Sequence, residues 1–171
     1  MRTRLLLTTL LVLSLNIGSA TATQSVPTQP TQQKVAASLT QKLIAIQKQT
    51  RLKKVVKYLT TKANKTAYVF SGSTTRGWDC SGMVVWTYKH MGITLPHSAN
   101  KQGHAGKRVS KPQVGDIVVF AYPNRTDFYH AAIYIGNNKI INANLMYGTT
   151  VIQPLKDFAK SQIRYVRVIN D

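Results

Sequence analysis

The chain has no glutamate, and its five acidic residues are all aspartate, against 23 lysines and arginines. The 171 residues therefore carry a formal net charge of +18. A field of this size draws a protein toward polyanions by long-range attraction. With so few acidic residues, the chain cannot neutralise its own basic residues, and this excess of positive charge indicates an anionic partner.

Cysteine is scarce as well, because Cys80 stands alone in the sequence, which excludes an internal disulfide. A lone cysteine is either a buried bystander or a functional thiol, and its neighbours must decide between the two. The histidines and aspartates do not form the clustered ligand sets that are typical of a metal site. We therefore predict a protein with no metal and no cofactor.

A long hydrophobic run is lacking too. The apolar segment at residues 5–18 contains Asn16 and ends in small residues at 19–22. A membrane span needs about 20 apolar residues, whereas this pattern is typical of a cleaved export signal. We predict a signal peptide at residues 1–22 and a secreted, cell-wall-associated protein, whose anionic partners are cell-wall polymers or the envelope surface rather than nucleic acid.

The segment after the predicted signal changes character at residue 34. Residues 23–33 are rich in Thr, Gln, Pro and Ser, which predicts a flexible leader. From 34 to about 65, apolar residues recur three and four apart among lysines, which is typical of amphipathic helix, here predicted in two segments. The second segment is expected to pack on the folded domain, and the first either packs there or lies on an anionic surface. We divide the chain into a basic, partly helical leader at 23–52 and a domain at 53–171.

From residue 66 onward the pattern is that of an α+β domain, with the helix first and an antiparallel sheet after it. Asp79 is a good N-cap, the apolar spacing predicts a helix at 80–90, and Gly92 can end it. Residues 136–138, Gly-Asn-Asn, are a hairpin signal. The predicted strands lie at 116–122, 130–135, 139–143 and 165–169.

Cys80 stands at the start of the predicted helix, one residue after Asp79. A thiol attacks a carbonyl as thiolate, and an ordinary cysteine with a pKa of about 8.5 is mostly protonated at neutral pH. The free N–H groups and aligned dipoles of a first helical turn stabilise negative charge. We therefore expect a lowered pKa for Cys80 and assign it as a nucleophile, which requires a histidine as its base.

Four histidines could supply that base. His90 lies about three turns along the same helix and cannot reach Cys80. His97 and His104 fall in a polar loop, where a histidine is more often solvated. His130 opens an apolar strand, a rigid position at the edge of a cleft, and is the residue that the pattern favours.

A third polar group usually orients such an imidazole, and Asn142 and Asn144 both follow the predicted hairpin. With a three-residue loop, Ala132 opposes Asn142 and His130 opposes Asn144, so both asparagines share a face with His130. A two-residue turn would slip the register by one and send both to the other face. Spacing alone does not choose between the two asparagines.

These residues lie within motifs that resemble the NlpC family of peptidoglycan endopeptidases, a branch of the papain-like cysteine peptidases. The resemblance covers roughly residue 53 to the C-terminus and implies a papain-like α+β fold, with the catalytic cysteine at the N-terminus of a helix packed on an antiparallel sheet. The matching segments, in the family's order, are YVFSG at 68–72, WDCSG at 78–82, LPHSA at 95–99 with Gln102, VGDIVVF at 114–120, HAAIYIG at 130–136 and INA at 141–143.

The resemblance also implies a catalytic set. Cys80 is the nucleophile, His130 the general base and acid, and Asn142 the orienting group. Asparagine at 142 departs from the second histidine that the family usually has there. It still suits the role, because its side-chain carbonyl can accept from an imidazole N–H.

Three further residues match family positions that contact substrate, namely Tyr68, Asp79 and Ser81. Tyr68 would line the cleft and help the backbone N–H of Cys80 hold the acyl oxygen, or it is a packed core aromatic. Asp79 and Ser81 resemble contacts to a substrate amine, although Asp79 is equally well explained as a helix cap. Ser71 replaces a glycine that the family often has, which indicates a slightly narrower cleft.

The function that the resemblance implies is a secreted cysteine endopeptidase of peptidoglycan stem peptides, acting by acyl transfer at the bond between γ-D-glutamate and the diamino acid. The same thiol chemistry fits a cell-wall amidase or an acyltransferase. The alternative from a different functional class is a basic cell-surface-binding protein that keeps the enzyme fold without its activity. The presence of both Cys80 and His130 argues against it.

Overall fold

The computed structural model describes residues 29–169. The predicted signal peptide at 1–22 and the first part of the leader lie outside the described residues. Within the described range, no helix is long and apolar enough to cross a membrane.

Three α-helices and eight strands make up the described chain. The helices are α1 (Gln29–Thr60), α2 (Cys80–Lys89) and α3 (Ala99–Gln102), and a 3-10 turn, η1, spans Leu155–Phe158. The strands are β1 (Ser73–Thr74), β2 (Gly77–Trp78), β3 (Lys107–Val109), β4 (Ile117–Ala121), β5 (Phe128–Gly136), β6 (Lys139–Asn144), β7 (Thr149–Pro154) and β8 (Gln162–Arg167).

The main sheet has six strands in the order β3-β8-β4-β5-β6-β7, and every neighbouring pair is antiparallel. All five residues of β4 are buried, because α2 covers one face of the sheet and η1 with side chains of β8 covers the other. A strand buried on both faces is apolar throughout, as this one is. The fold is the α+β arrangement of a helix on an antiparallel sheet that the sequence predicts.

Helix α2 confirms the predicted helix around Cys80. The Asp79 carboxylate accepts from the backbone N–H of Gly82 at 2.7 Å and so satisfies a free donor of the first turn. The chain leaves the helix at Gly92, whose φ of +74° suits glycine. Met83, Val84 and other apolar side chains of the helix are buried against the sheet.

Helix α1 corrects two predictions. The flexible leader was expected to extend to residue 33 and the helix to form two segments, but one helix runs without a break from Gln29 to Thr60. No proline or glycine occurs between residues 31 and 60 to interrupt it. Packing begins at Gln49, whose Nε2 donates to the carbonyl of Val114 at 3.1 Å, and at the buried Leu52. The boundary predicted at residue 53 therefore falls inside a continuous helix.

Candidate active site

Cys80 is the first residue of α2 and faces strand β5. The backbone N–H of Ala131, the residue after His130, is close enough to Cys80 to lower the pKa of its thiol. Cys80 and His130 line one cleft of about 810 Å³, together with Tyr68 and Tyr129. The helix start and the strand start therefore bring the predicted nucleophile and base to the same site.

The protonation state of Cys80 differs from the prediction. Burial raises the pKa of the Cys80 thiol above its ordinary value, and the Asp79 charge raises it further, while the N–H groups of Ala131 and Ser81 oppose both effects. The prediction of a lowered pKa was wrong, because the apolar packing around the sulfur outweighs the donors of the first helical turn. In the free protein the thiol is favoured over the thiolate.

His130 lies half-buried against the packed pair of rings of Phe120 and Phe158, whose centroids are 4.2 Å from each other and 5.7 and 5.9 Å from its own. This burial lowers the pKa of His130 below the ordinary 6.5, and the hydrogen bond to Asn142 offsets the effect in part. The imidazole is therefore favoured in its neutral form, which is the form that can accept a proton.

Asn142 is the residue that orients His130. Its Oδ1 lies 3.0 Å from Nε2 of His130, and its Nδ2 donates to Oε1 of Gln153 at 3.0 Å and toward the carbonyl of Val151 at 3.5 Å. Because the amide nitrogen already has acceptors, the amide oxygen must face the ring. Nε2 then carries the ring proton, and the lone pair of Nδ1 is left to act as the base.

Strand register explains why the choice between Asn142 and Asn144 was open. The hairpin turn has two residues, Asn137 and Asn138, both at positive φ, and Gly136 pairs with Lys139. A bulge beside Tyr134 then shifts the pairing by one residue, so that residue 133 pairs with residue 141. This is the register expected for a three-residue loop. Asn142 therefore stays on the face of His130 despite the shorter turn.

Asn144 has a different role from Asn142. Its Nδ2 donates to Oε1 of Gln153 at 3.2 Å, and its Oδ1 accepts from the backbone N–H of Met146 at 2.9 Å. It lines the cleft beside Leu145. Asn144 therefore shapes the cleft wall and supports the same glutamine that holds Asn142.

Gln153 is a further residue of the site that was not predicted from the sequence. This buried side chain on β7 accepts from both asparagine amides at a single oxygen. Ile140 pairs with Gln153 and Asn142 with Val151, so Gln153 sits diagonally across from Asn142. A polar residue at an alternating position of the strand signals it, but the pairing of β6 with β7 has to be known before the signal can be used.

Asp79 and Ser81, predicted to contact a substrate amine, lie in a buried network instead of lining the cleft. Asp79 accepts from Gly82 and Ser81 and from the backbone N–H of Ser71. Although burial raises it, the contacts with Gly82, His97 and Ser81 hold the pKa of Asp79 below its usual range. The arrangement gives Asp79 the alternative role, a helix cap, and its contact with substrate stays a prediction.

His97 is exposed, as expected for a loop histidine, but it also has a partner in the protein. Its Nε2 lies 2.8 Å from Oδ1 of Asp79, so the loop before α3 is tied to the cap of α2. A Cβ on Gly82 would meet this ring at 2.9 Å and the carbonyl of Gly72 at 1.9 Å. Only glycine fits there, which explains the glycine of the WDCSG motif.

Tyr68 lines the cleft beside Cys80, as predicted. Burial raises the pKa of Tyr68, and the nearby Cys80 and Asp79 add to the effect, so its hydroxyl stays a donor. On the far side, Tyr129 stacks on Tyr122 at 4.3 Å and its hydroxyl lies 2.8 Å from that of Ser161. The segment at 156–161 completes this wall and was missed by the sequence analysis.

Ser71 lies next to this network in a left-handed backbone conformation, with φ at +57°. Such a conformation favours glycine, which is the residue that the family often has there. In the described part of the chain, no group of three or more His, Cys, Asp or Glu side chains could hold a metal ion.

Comparison with known proteins adds to this geometry. A family model described as the NlpC/P60 family matches residues 65–168. The chain is 36% identical over 104 residues to the gamma-DL-glutamyl hydrolase of Bacillus subtilis, and this alignment covers 58% of the chain and 25% of that protein. It is 39% identical over 82 residues to the bifunctional muramidase/DL-endopeptidase CwlT of the same organism, and this alignment covers 45% of the chain and 25% of CwlT. The chain thus matches about a quarter of the length of these relatives.

Solved structures give the same fold. The peptidoglycan hydrolase RipB of Mycobacterium tuberculosis superposes with a TM-score of 0.62 at 20% identity, covering 74% of this chain and 67% of that one. RipD of the same organism, described as a non-catalytic NlpC/p60 domain protein adapted to peptidoglycan binding, superposes at 0.57 with 18% identity, covering 69% and 98%. At these identities the likeness establishes the fold alone.

Proposed function

The chain belongs to the NlpC/P60 family, a family of cysteine peptidases, and from that membership we propose that it is an endopeptidase of peptidoglycan stem peptides with Cys80 as its nucleophile. One observation carries the proposal. The single cysteine of the chain lines the same cleft as His130, whose Nε2 is held by Asn142 so that the Nδ1 lone pair is available.

The mechanism is acyl transfer that starts from a neutral pair. Nδ1 of His130 takes the thiol proton as the Cys80 sulfur attacks the amide carbonyl, and the imidazolium formed is stabilised by Oδ1 of Asn142. His130 then gives the proton to the leaving amine, and a thioester remains on Cys80. Water, deprotonated by His130, hydrolyses the thioester and restores the thiol.

The developing oxyanion needs donors that are already in place. The backbone N–H of Cys80 lies in the first turn of α2, where helical N–H groups have no partner within the helix. The hydroxyl of Tyr68 lines the cleft beside the sulfur and is kept protonated by the raised pKa. We assign these two groups to the oxyanion.

For the bond, we propose the link between γ-D-glutamate and the diamino acid. The printed names of two relatives, a gamma-DL-glutamyl hydrolase and a DL-endopeptidase, support this choice. A 34% identical relative from Escherichia coli is described as a DD-endopeptidase and LD-carboxypeptidase. The experiment must therefore separate these bonds.

The test is mass spectrometry of muropeptides after incubation with the protein, in reducing agent, beside Cys80→Ala and Asn142→Ala. We expect new fragments that end in D-glutamate, together with free diamino-acid amines, which vanish with Cys80→Ala and form much more slowly with Asn142→Ala. Cleavage at D-alanine bonds would move the assignment to another bond. Muramic acid freed from L-alanine would identify an amidase, and new amide bonds an acyltransferase. No product from any stem peptide would favour a binding protein.

The protein's location and wider partners are part of the same proposal. We infer that residues 1–22 direct export and that the net charge of +16, which remains once Arg2 and Arg4 leave with that segment, holds the protein on anionic cell-wall polymers or the envelope surface. A strongly cationic protein outside the cytoplasm meets these polyanions first.

A further inference from the structure

The N-terminal half of α1 projects from the domain with an exposed aliphatic stripe. Val35, Leu39, Leu43 and Ile46 expose 54, 56, 61 and 62% of their surface. Their spacing of four, four and three residues places them on one face of the helix. We call these four residues the α1 stripe.

The α1 stripe is distinct from the face that packs on the domain. The packing face consists of Gln49 and the buried Leu52, Val56 and Leu59. At 100° per residue, the two faces are centred roughly 120° apart around the helix axis. Docking of α1 on the domain therefore leaves the stripe uncovered, and no described residue contacts enough of it to bury it.

The charge on α1 is of one sign. The helix carries seven lysines and arginines and no acidic residue. Lys42 flanks the stripe, and Lys34 and Lys48 lie on the other side of the same part of the helix. All three are exposed. Any partner that covers the stripe must therefore combine an apolar layer with negative charge.

We propose that the α1 stripe docks into the interface of an anionic lipid bilayer. An amphipathic helix that lies in the bilayer plane buries aliphatic side chains among the acyl chains and places its lysines at the headgroups. The exposed part at residues 31–48 is about 27 Å long, enough to lie along the surface. It is not suited to span the bilayer.

Other occupants fit less well. A second copy of α1 would place lysines against lysines with no carboxylate to pair them, and the seam of Ala36, Leu39, Leu43 and Ile46 covers two heptads, short of the three or four that a coiled coil needs. A soluble anionic polymer would explain the lysines but not the four exposed aliphatic side chains. The bilayer accounts for both.

The lone cysteine makes a local test practical. In a Cys80→Ala background of the full chain, an environment-sensitive fluorophore is attached at Leu43→Cys on the stripe, or at Gln41→Cys on the other side of the helix as the matched control. Each protein is mixed with vesicles of phosphatidylglycerol and phosphatidylcholine, with vesicles of phosphatidylcholine alone, or with polyphosphate. Because both labels sit on the same chain, anchoring by any other segment affects both equally.

On vesicles that contain phosphatidylglycerol, we expect the fluorescence emission of the label at residue 43 to shift to the blue and that of the label at 41 to shift little. On phosphatidylcholine alone, half-saturation of the shift should need at least tenfold more lipid. Equal shifts at both positions would overturn the proposal, as would a shift at 43 on protein concentration alone, which would indicate a second copy. A shift with polyphosphate but not with lipid would indicate a polymer. Leu39→Gln should weaken the shift of the labelled protein. The same substitution in protein that keeps Cys80 should leave cleavage of soluble stem peptides unchanged, so failure here is separable from failure of the proposed activity.

Discussion

At the scale of single residues, burial shifts the pKa values of the two reacting groups, Cys80 and His130, in opposite directions. It raises the pKa of Cys80 and lowers the pKa of His130, so both are favoured in the uncharged form. The imidazole must therefore remove the thiol proton during attack. This makes the base form of His130, and hence its orientation by Asn142, the condition for activity.

The pH profile is the first prediction at this scale. Because the pKa of His130 is lowered by burial, the base form persists as pH falls, and we expect the acid limb of kcat/KM on a soluble stem peptide to lie below 6.5. Asn142→Ala removes the one contact that raises this pKa, so the limb should move to still lower pH while the plateau drops. A limb above 6.5 would contradict the lowered pKa of His130.

Gln153 gives the second prediction. Gln153→Met keeps the size but removes the oxygen that fixes the amide of Asn142, which can then turn its Nδ2 toward His130 and favour the wrong tautomer. An unsatisfied buried donor costs about 1–3 kcal/mol, so kcat should fall about ten- to hundredfold with little change in KM. The readouts are steady-state kinetics and the ¹⁵N shifts of the His130 ring.

The matched variant is Gln153→Glu, which keeps the acceptor and adds negative charge. It should retain most of kcat and move the acid limb to higher pH, because the charge stabilises the imidazolium. A merely structural glutamine would give two variants with equal losses and no movement of the limb. That result would remove Gln153 from the positioning network.

Some of the site could be predicted from local pattern and some could not. Cys80 after Asp79 is a local signal, because a cap, a helix start and a nucleophile are adjacent in sequence. His130 at a strand start is nearly as local. The contact of Asn142 with His130 depends on a two-residue turn and a bulge that cancel in register, and sequence spacing carries no information about such cancellation. The contact of Gln153 with Asn142 depends on the pairing of β6 with β7.

At the scale of elements, α1 shows where local pattern misleads. Its first residues are Thr- and Gln-rich, which favoured a flexible leader, yet no helix breaker follows Pro30, a residue tolerated in a first turn. Two apolar faces share the helix, and a local pattern does not distinguish a change of face from a break between two segments. The α2 prediction held because its cap and its C-terminal glycine mark both ends.

The two faces of α1 give the third prediction. Leu52→Ala removes a buried side chain that lies against Gly115 and should lower the free energy of unfolding by about 2–5 kcal/mol. Leu43→Ala, the same change on the exposed stripe, should alter it by less than about 0.5 kcal/mol. Urea denaturation measures both. Equal effects would contradict the assignment of the C-terminal half of α1 to the folded domain.

At the scale of the whole molecule, the main feature is an excess of positive charge that no single contact neutralises. In the described chain, two arginines pair with aspartate: Arg167 with Asp116, which is part-buried, and Arg125 with Asp127, which is exposed. Acidic side chains therefore neutralise few of the basic ones. The remaining positive field surrounds a cleft whose proposed substrate is itself part of an anionic wall. Attraction to the wall and access to stem peptides are then one process, with the field supplying encounter and the cleft supplying chemistry.

This leads to the fourth prediction. Cys80→Ala protein, which leaves the wall undigested, should sediment with lipid-free cell walls at low salt and be released by about 0.5 M salt, where the screening length is about 4 Å. Walls stripped of their anionic polymers should retain less of it in the same assay. Because no lipid is present, the α1 stripe has no bilayer to enter, and binding that survives 0.5 M salt would have to come from the cleft or from apolar contacts instead. Walls that fail to pull the protein down at low salt would remove charge as the means of retention, while the proposed chemistry at Cys80 would stand on its own test.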